Sequence, residues 1–323
     1  MSSRARVFCI VAIAAAAVSG VVVIGVLATR SNVPSVKPRS GAPPLALDLG
    51  LRTDPEARAL QQAERLYDRD QRAERRRAAK IFARYHSLEA EVGAALAAWP
   101  SGTVANLQTL AAEHPTSSLV AFHLGLALYW SRLGPEAEKA LRAAEKLQPD
   151  SLYAVSAGNF LHPRFAPGLP TFVPSFQAPL RIRILTLARQ VAALEREART
   201  GGAHAKILYG IALQRLDRPR SAERQFSAAE RESQEDPEAR AAASVGLFDK
   251  DNPSLAFSRL GPLVRVFPHA QTIRFHLGLL LLWIADVDKA RQELRQARAE
   301  GPRTPLGRAA SAYLQALRQA GTR

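Results

Sequence analysis

Asp-x-Asp occurs three times in this chain, at Asp68/Asp70, Asp249/Asp251 and Asp286/Asp288. Two carboxylates at that spacing offer the hard oxygen ligands that hold a divalent cation, as in some glycosyl-transfer sites. All three pairs fall where one helix is expected to turn into the next. An aspartate there caps the following helix by accepting its free amide hydrogens, and capping is the simpler reading. The seven histidines are scattered. His123 and His276 stand in like surroundings and read as structural residues at a helix interface or facing solvent, not as a metal pair. The chain holds no phosphate-binding GxxxxGK[ST], no HExxH, no GxSxG and no dinucleotide fingerprint. Cys9 is the only cysteine and lies in an apolar run, which removes disulfide chemistry and thiolate-bound zinc. No catalytic residue, metal or cofactor is therefore expected.

Cationic chemistry is the other possibility. The net charge is +15, from 37 arginines and 7 lysines against 29 acids, an arginine bias typical of GC-rich bacterial genomes. Its densest patch is Arg72, Arg75, Arg76, Arg77 and Lys80, which could meet anionic lipid, polymer or nucleic acid. Asp68, Asp70 and Glu74 are interleaved with it, and it lacks the aromatic platform that single-strand binding uses. A solvated helix face is the favoured reading, a basic docking surface the alternative, and nucleic acid is not expected.

The elements behind these residues begin at a membrane. After a basic head at 1–6, Val7 to Ala28 runs 22 residues without charge or proline, long enough to span a bilayer as a helix. Residues 7–29 are accordingly expected to be a transmembrane anchor. The rival reading is a secretory signal, since Val26-Leu27-Ala28 would suit a signal peptidase. Flanking charges nearly cancel, so the short head alone favours a single-pass protein with an extracytoplasmic body. Residues 30–45 carry prolines, serines and a glycine and read as a tether.

Beyond it the composition is that of helices, rich in alanine, leucine, arginine and glutamate. Phe122-His123-Leu124-Gly125-Leu126-Ala127-Leu128-Tyr129-Trp130 matches Phe275-His276-Leu277-Gly278-Leu279-Leu280-Leu281-Leu282-Trp283 at seven of nine places. Counting from Gly125, the chain sets Ala137, Leu141, Ala144 and Pro149 at offsets 12, 16, 19 and 24. Counting from Gly278, the same offsets give Ala290, Leu294, Ala297 and Pro302. This spacing resembles the tetratricopeptide repeat, a helix–turn–helix unit of about 34 residues. Gly210 lies 68 residues before Gly278 and is followed by Ala222, Phe226 and Ala229, so 203–304 reads as three repeats in phase. The glycines let two helices approach, the alanines receive bulky neighbours, and the prolines end each unit.

The fold class expected is all-α, a tetratricopeptide-like helical-repeat solenoid with one N-terminal transmembrane helix. Residues 46–117 would be degenerate repeats or a cap, 118–202 repeats with an insertion, and 305–323 a closing helix. The insertion, 162–179, packs five prolines and three phenylalanines into eighteen residues. Gly158 and Gly210 are 52 residues apart, so 162–179 reads as inserted between the two helices of one repeat without ending a domain. Its backbone must be extended or polyproline-like, and Phe165, Phe172 and Phe176 need cover. Phe122, Leu126 and Trp130, and again Phe275, Leu279 and Trp283, recur every four residues on one face. The resemblance implies that this face lines a concave groove for a protein or peptide partner. The insertion is then either a lid over the groove or a plug sealing a widened gap between helices.

Overall fold

The computed structural model describes residues 41–321 and is all-helical, with sixteen helices and no strand among the described residues. The anchor run Val7–Ala28 and Cys9 lie outside the described residues. Among those described, no helix is long and apolar enough to cross a membrane.

The described chain divides after Pro163 into two compact units. The first contains α1 (Pro55–Tyr67), α2 (Arg72–Phe82), α3 (Leu88–Ala97), α4 (Thr103–Glu113), α5 (Ser118–Trp130), α6 (Gly134–Leu147) and α7 (Leu152–Leu161). The second contains α8 (Leu180–Arg183), α9 (Leu187–Thr200), α10 (Ala203–Arg215), α11 (Pro219–Glu232), α12 (Pro237–Gly246), α13 (Ser254–Val266), α14 (Gln271–Trp283), α15 (Val287–Glu300) and α16 (Pro305–Gly321). Each unit stacks three helical hairpins and closes with one more helix, and in the second unit α8 and α9 precede the first hairpin. Successive first helices touch one another, α1 with α3, α3 with α5 and α5 with α7, and α10 with α12, α12 with α14 and α14 with α16. They form an inner layer, and the second helices form an outer one.

The two layers differ in sequence for a physical reason. Outer helices bury one stripe, Ala137, Leu141 and Ala144 on α6 or Ala290, Leu294 and Ala297 on α15, and turn charged residues outward. Inner helices α5 and α14 are apolar around most of their circumference. A helix of that kind must be covered on both sides, so something besides the outer layer lies against them. Between the layers, a Cβ on Gly125 would sit 2.8 Å from Cγ of Leu141, and one on Gly278 would sit 2.8 Å from Cγ of Leu294. Gly210 receives the ring of Phe226 in the same way.

Turns inside the hairpins are tight. Asp70, Arg132, Asp217 and Ala285 adopt left-handed backbone at the ends of α1, α5, α10 and α14. Beyond three of them, the N–H groups of Leu133, Arg218 and Asp286 bond back to the carbonyls of Leu128, Leu213 and Leu281.

Three expectations are corrected here. Of the two alternatives for residues 46–117, the hairpins α1/α2 and α3/α4 accord with degenerate repeats and not with a cap, because they share one core with Phe122, Leu126 and Leu141. The proline-rich stretch does not separate two helices of one repeat. The first of the anticipated pair, α7, packs on α5 and α6 and completes the first unit, while α9 packs on α10 in the second. The domain expected at 118–202 is thus cut at Pro163, since the interrupted helix period marks the start of a second stack. Finally, residues 42–45 are not free tether: Pro43 and Leu45 are buried in the first core.

Candidate functional site

What covers each inner layer is the chain itself. In the first unit the non-helical segment 42–49 runs over the inner helices and buries Leu45, Ala46, Leu47 and Leu49. Its backbone is bonded by side chains of three of these helices. From α1, the Tyr67 hydroxyl donates to the Pro43 carbonyl at 2.6 Å, and Glu64 Oε1 accepts the Leu47 N–H at 3.0 Å. From α5, His123 Nε2 accepts the Ala46 N–H at 3.2 Å. From α7, the Tyr153 hydroxyl accepts the Asp48 N–H at 2.8 Å. Asp70 takes the Ala42 N–H at 3.2 Å and fixes the entry of the segment.

The second unit repeats the arrangement with the segment 165–178. Gln214 on α10 donates to the Pro170 carbonyl at 3.4 Å and accepts the Phe172 N–H at 2.9 Å. His276 Nε2 on α14 accepts the Val173 N–H at 2.9 Å, and Glu238 Oε1 on α12 accepts the Ser175 N–H at 3.2 Å. Here aromatic rings add to the hold. Phe172 stacks on His276 with centroids 4.3 Å apart, Phe176 stacks on His204 at 4.0 Å, and Phe165 meets Phe248 edge-on at 6.2 Å.

Each histidine is locked in one tautomer. Nδ1 of His123 faces the Leu119 carbonyl at 2.8 Å, and Nδ1 of His276 faces the Thr272 carbonyl at 2.7 Å. A carbonyl only accepts and an amide N–H only donates, so Nδ1 carries the proton and Nε2 presents its lone pair. Both rings are fully buried, which lowers each to about 4 against the opposing effect of its carbonyl bond. Glu64 and Glu238 move the other way. Burial raises each carboxyl to about 7, helped by Asp68 and Asp236 respectively and opposed by the segment N–H that each accepts. Burial also raises the phenols of Tyr67 and Tyr153, so both keep their hydrogens. Glu64, Tyr67, His123, Tyr153, Gln214, Glu238 and His276 are thus neutral hydrogen-bonding partners near pH 6, suited to hold peptide backbone without a buried charge.

Magnitudes indicate how firmly the first segment is held. Ordering eight residues costs about 8–16 kcal/mol. Burying Leu45, Leu47 and Leu49 contributes about 5–9 kcal/mol, and five side-chain bonds to the backbone add about 3–8 kcal/mol. The two sides cancel to within a few kcal/mol.

The residues anticipated to present a groove lie on this face but are not open to solvent. Phe122, Leu126, Phe275, Leu279 and Trp283 are buried, and Trp130 is half-buried. Phe165, Phe172 and Phe176 pack into or against the second core, on the inner face of that unit. The repeat residues Gly125, Ala137, Gly210, Ala222, Gly278 and Ala290 stand where the two layers meet. Pro149 and Pro302 lie just beyond α6 and α15.

The capping expectation needs correction. Only Asp286 caps a second helix, accepting the Lys289 N–H. The caps of α2 and α13 are Gln71 and Pro253. Asp70 instead occupies the left-handed position, which aspartate tolerates better than most residues, and pairs with Arg75 at 2.6 Å. Asp249 accepts the Asp251 N–H and lies 3.5 Å from Arg220. Among the basic residues of α2, Arg75 is thus half-buried on Asp70 and Arg77 reaches Glu74, while Arg72, Arg76 and Lys80 are exposed.

Sequence reasoning missed the segment 42–49, its backbone-binding partners Glu64, Tyr67, His123 and Tyr153, and the partners of the second segment, Gln214, Glu238 and His276. Two signals pointed to them: a histidine retained at the same place in two otherwise apolar blocks, and the alternation Leu45, Leu47, Leu49 after two prolines. No protein-family model matches the chain, and no curated protein matches it.

Proposed function

We propose that this protein is a non-catalytic tetratricopeptide-type adaptor, tethered through residues 7–29, that recognises protein partners through the inner faces of its two helical stacks. On this reading the body stands on the extracytoplasmic side. The observation that carries the reading is the chemistry of the inner faces. Each presents neutral, buried or half-buried side chains that bond peptide N–H and C=O groups at several places along one stretch of backbone. Such groups would be costly to bury unless a peptide met them. The Asp-x-Asp pairs already engage arginine, lysine or amide partners, which weighs against an enzymatic reading.

A second reading, docking on an anionic membrane or polymer, draws on Arg72, Arg76 and Lys80, exposed together on α2. Crosslinking in intact cells separates the two. The full chain is compared with Leu45→Asp/Phe172→Asp, directed at the grooves, and with Arg72→Glu/Arg76→Glu, directed at the basic face, each checked for native helix content. The adaptor reading expects discrete crosslinked proteins that change with the first pair and persist with the second. Loss with the arginine pair alone would transfer the function to the basic face, and the absence of any discrete crosslinked protein would overturn the adaptor reading.

A further inference from the structure

The two self-bound segments can be set in one seven-residue frame: Pro43-Pro44-Leu45-Ala46-Leu47-Asp48-Leu49 and Pro170-Thr171-Phe172-Val173-Pro174-Ser175-Phe176. Only the leading proline is identical. The environments nevertheless agree at the first five places. The first, third, fourth and fifth residues are buried in both, the second is half-buried in both, and the sixth is the polar one, Asp48 or Ser175. Three of the same backbone atoms are bonded as well. The first carbonyl accepts from Tyr67 or Gln214, the fourth N–H meets His123 or His276, and the sixth N–H meets Tyr153 or Glu238.

Two related sites that hold such different sequences by three shared backbone atoms read a pattern. We propose that the inner face of the first unit is a binding site for a non-helical partner peptide patterned proline, any residue, large apolar, small apolar, apolar, polar, apolar, and that segment 43–49 is its internal competitor. This rests on the adaptor reading and names its ligand. The first unit is the one that opens, because its occupant is aliphatic and its hold is closely balanced. The second occupant is anchored by stacked rings on His276 and His204. The pattern also states what the site rejects. A charge at the third, fourth or fifth place would be buried without a partner, and an N-methyl group at the fourth would leave His123 Nε2 unmet.

The test uses the full-length protein and a fluorescent synthetic peptide with the sequence of residues 41–50. Leu45→Asp/Leu47→Asp evicts the internal segment, because neither carboxylate can be buried there. The evicted variant is expected to bind the peptide at least about ten-fold more tightly than wild type, and N-methylation at the alanine that corresponds to Ala46 is expected to weaken binding about ten-fold. An evicted variant with native helix content that ignores the peptide would overturn the proposal. If that variant does not fold, hydrogen exchange of the wild type decides. Amides of Ala46, Leu47 and Asp48 should exchange by local release, faster than those of His123 to Leu126. Exchange of both sets only together with global unfolding would make the segment inseparable core and overturn the proposal. Dimerisation of wild type that the peptide reverses would assign the face to a second copy instead. A failed peptide with crosslinked partners retained overturns the motif alone, whereas a bound peptide in a protein that crosslinks to nothing overturns the adaptor reading.

Discussion

The two inner faces bind the same backbone frame and fill it with different side chains. In the first, aliphatic residues are held by Tyr67, Glu64, His123 and Tyr153. In the second, aromatic residues are held by Gln214, His276 and Glu238. The sharpest divergence is at the fifth place, where Leu47 donates to Glu64 and its counterpart, Pro174, has no N–H to give. The second unit instead places its buried glutamate, Glu238, on the next N–H, where the first unit uses Tyr153. What both faces keep is the histidine against the fourth N–H. A duplicated stack can therefore change nearly all of its occupant, provided the acceptor at that one amide stays.

The largest expected break in this comparison comes from Phe172→Ala. The ring is 2% exposed, stacked on His276 and 6.0 Å from Phe226, so truncation should cost about 3–5 kcal/mol. Leu45→Ala, at the same place in the first frame, should cost less, about 2–4 kcal/mol, because its neighbours lose no stacked partner. Urea titrations followed by circular dichroism compare the two. Equal losses would remove the distinction between a firmly anchored and a loosely held segment.

Next in size is a pH effect that is hidden in the wild type. Glu238 has a folded value near 7, raised from 4.5 by burial, so its folded form binds the proton more tightly. Its contribution is complete below pH 4.5 and is lost as pH rises through 7. His276 is lowered from 6.5 to about 4. Its contribution is complete above pH 6.5 and is lost as pH falls through 4. Between 4.5 and 6.5 the two slopes oppose each other, and stability from this pair stays flat. Glu238→Gln keeps an acceptor for Ser175 but cannot ionise. Relative to wild type it should gain on the order of 1–3 kcal/mol at pH 8. Below pH 6.5 it should lose about 1.4 kcal/mol per unit, as the histidine slope is unmasked. Thermal melts across pH 4–8 measure both arms, and a variant parallel to wild type would show that the carboxyl is not held neutral by burial. Glu64→Gln should do the same for the first unit through His123.

Gly125→Ala and Gly278→Ala should be matched and smaller. Each adds a methyl 2.8 Å from the leucine that fills the glycine notch, Leu141 or Leu294, a strain of about 1–3 kcal/mol. Equal shifts in melting temperature would confirm that the layers pack alike even where the inner faces diverge. These glycines were also the most legible part of the molecule. Glycine, alanine, leucine and proline at fixed offsets report helix–helix distances, which recur in every hairpin, so the all-helical stack could be read directly. The inner faces could not be. Nothing in Pro43-Pro44-Leu45-Ala46-Leu47-Asp48-Leu49 resembles its counterpart beyond one proline, because side chains of many shapes satisfy a site that bonds to backbone. The unit boundary at Pro163 was obscured for the same reason: the second segment appeared as an interruption within one stack when it is the start of another.

The smallest expected effect is the most specific. Tyr67→Phe removes one hydroxyl and leaves the ring packed, so it isolates the bond to the Pro43 carbonyl, 2.6 Å long and buried. That carbonyl would then lack this donor, at a cost of about 1–2 kcal/mol. The loss should appear locally, as faster hydrogen exchange at Ala46, Leu47 and Asp48, while amides of α14 in the second unit are unchanged. In the second unit the corresponding bond, from Gln214 to Pro170, is 3.4 Å long and therefore weak. If Tyr67→Phe changes nothing, the leading proline is read in both units by its shape and burial, and the frame begins in energetic terms at the third residue. If exchange rises only at 46–48, the first carbonyl is a true recognition point, and the two faces differ in how strongly they use it.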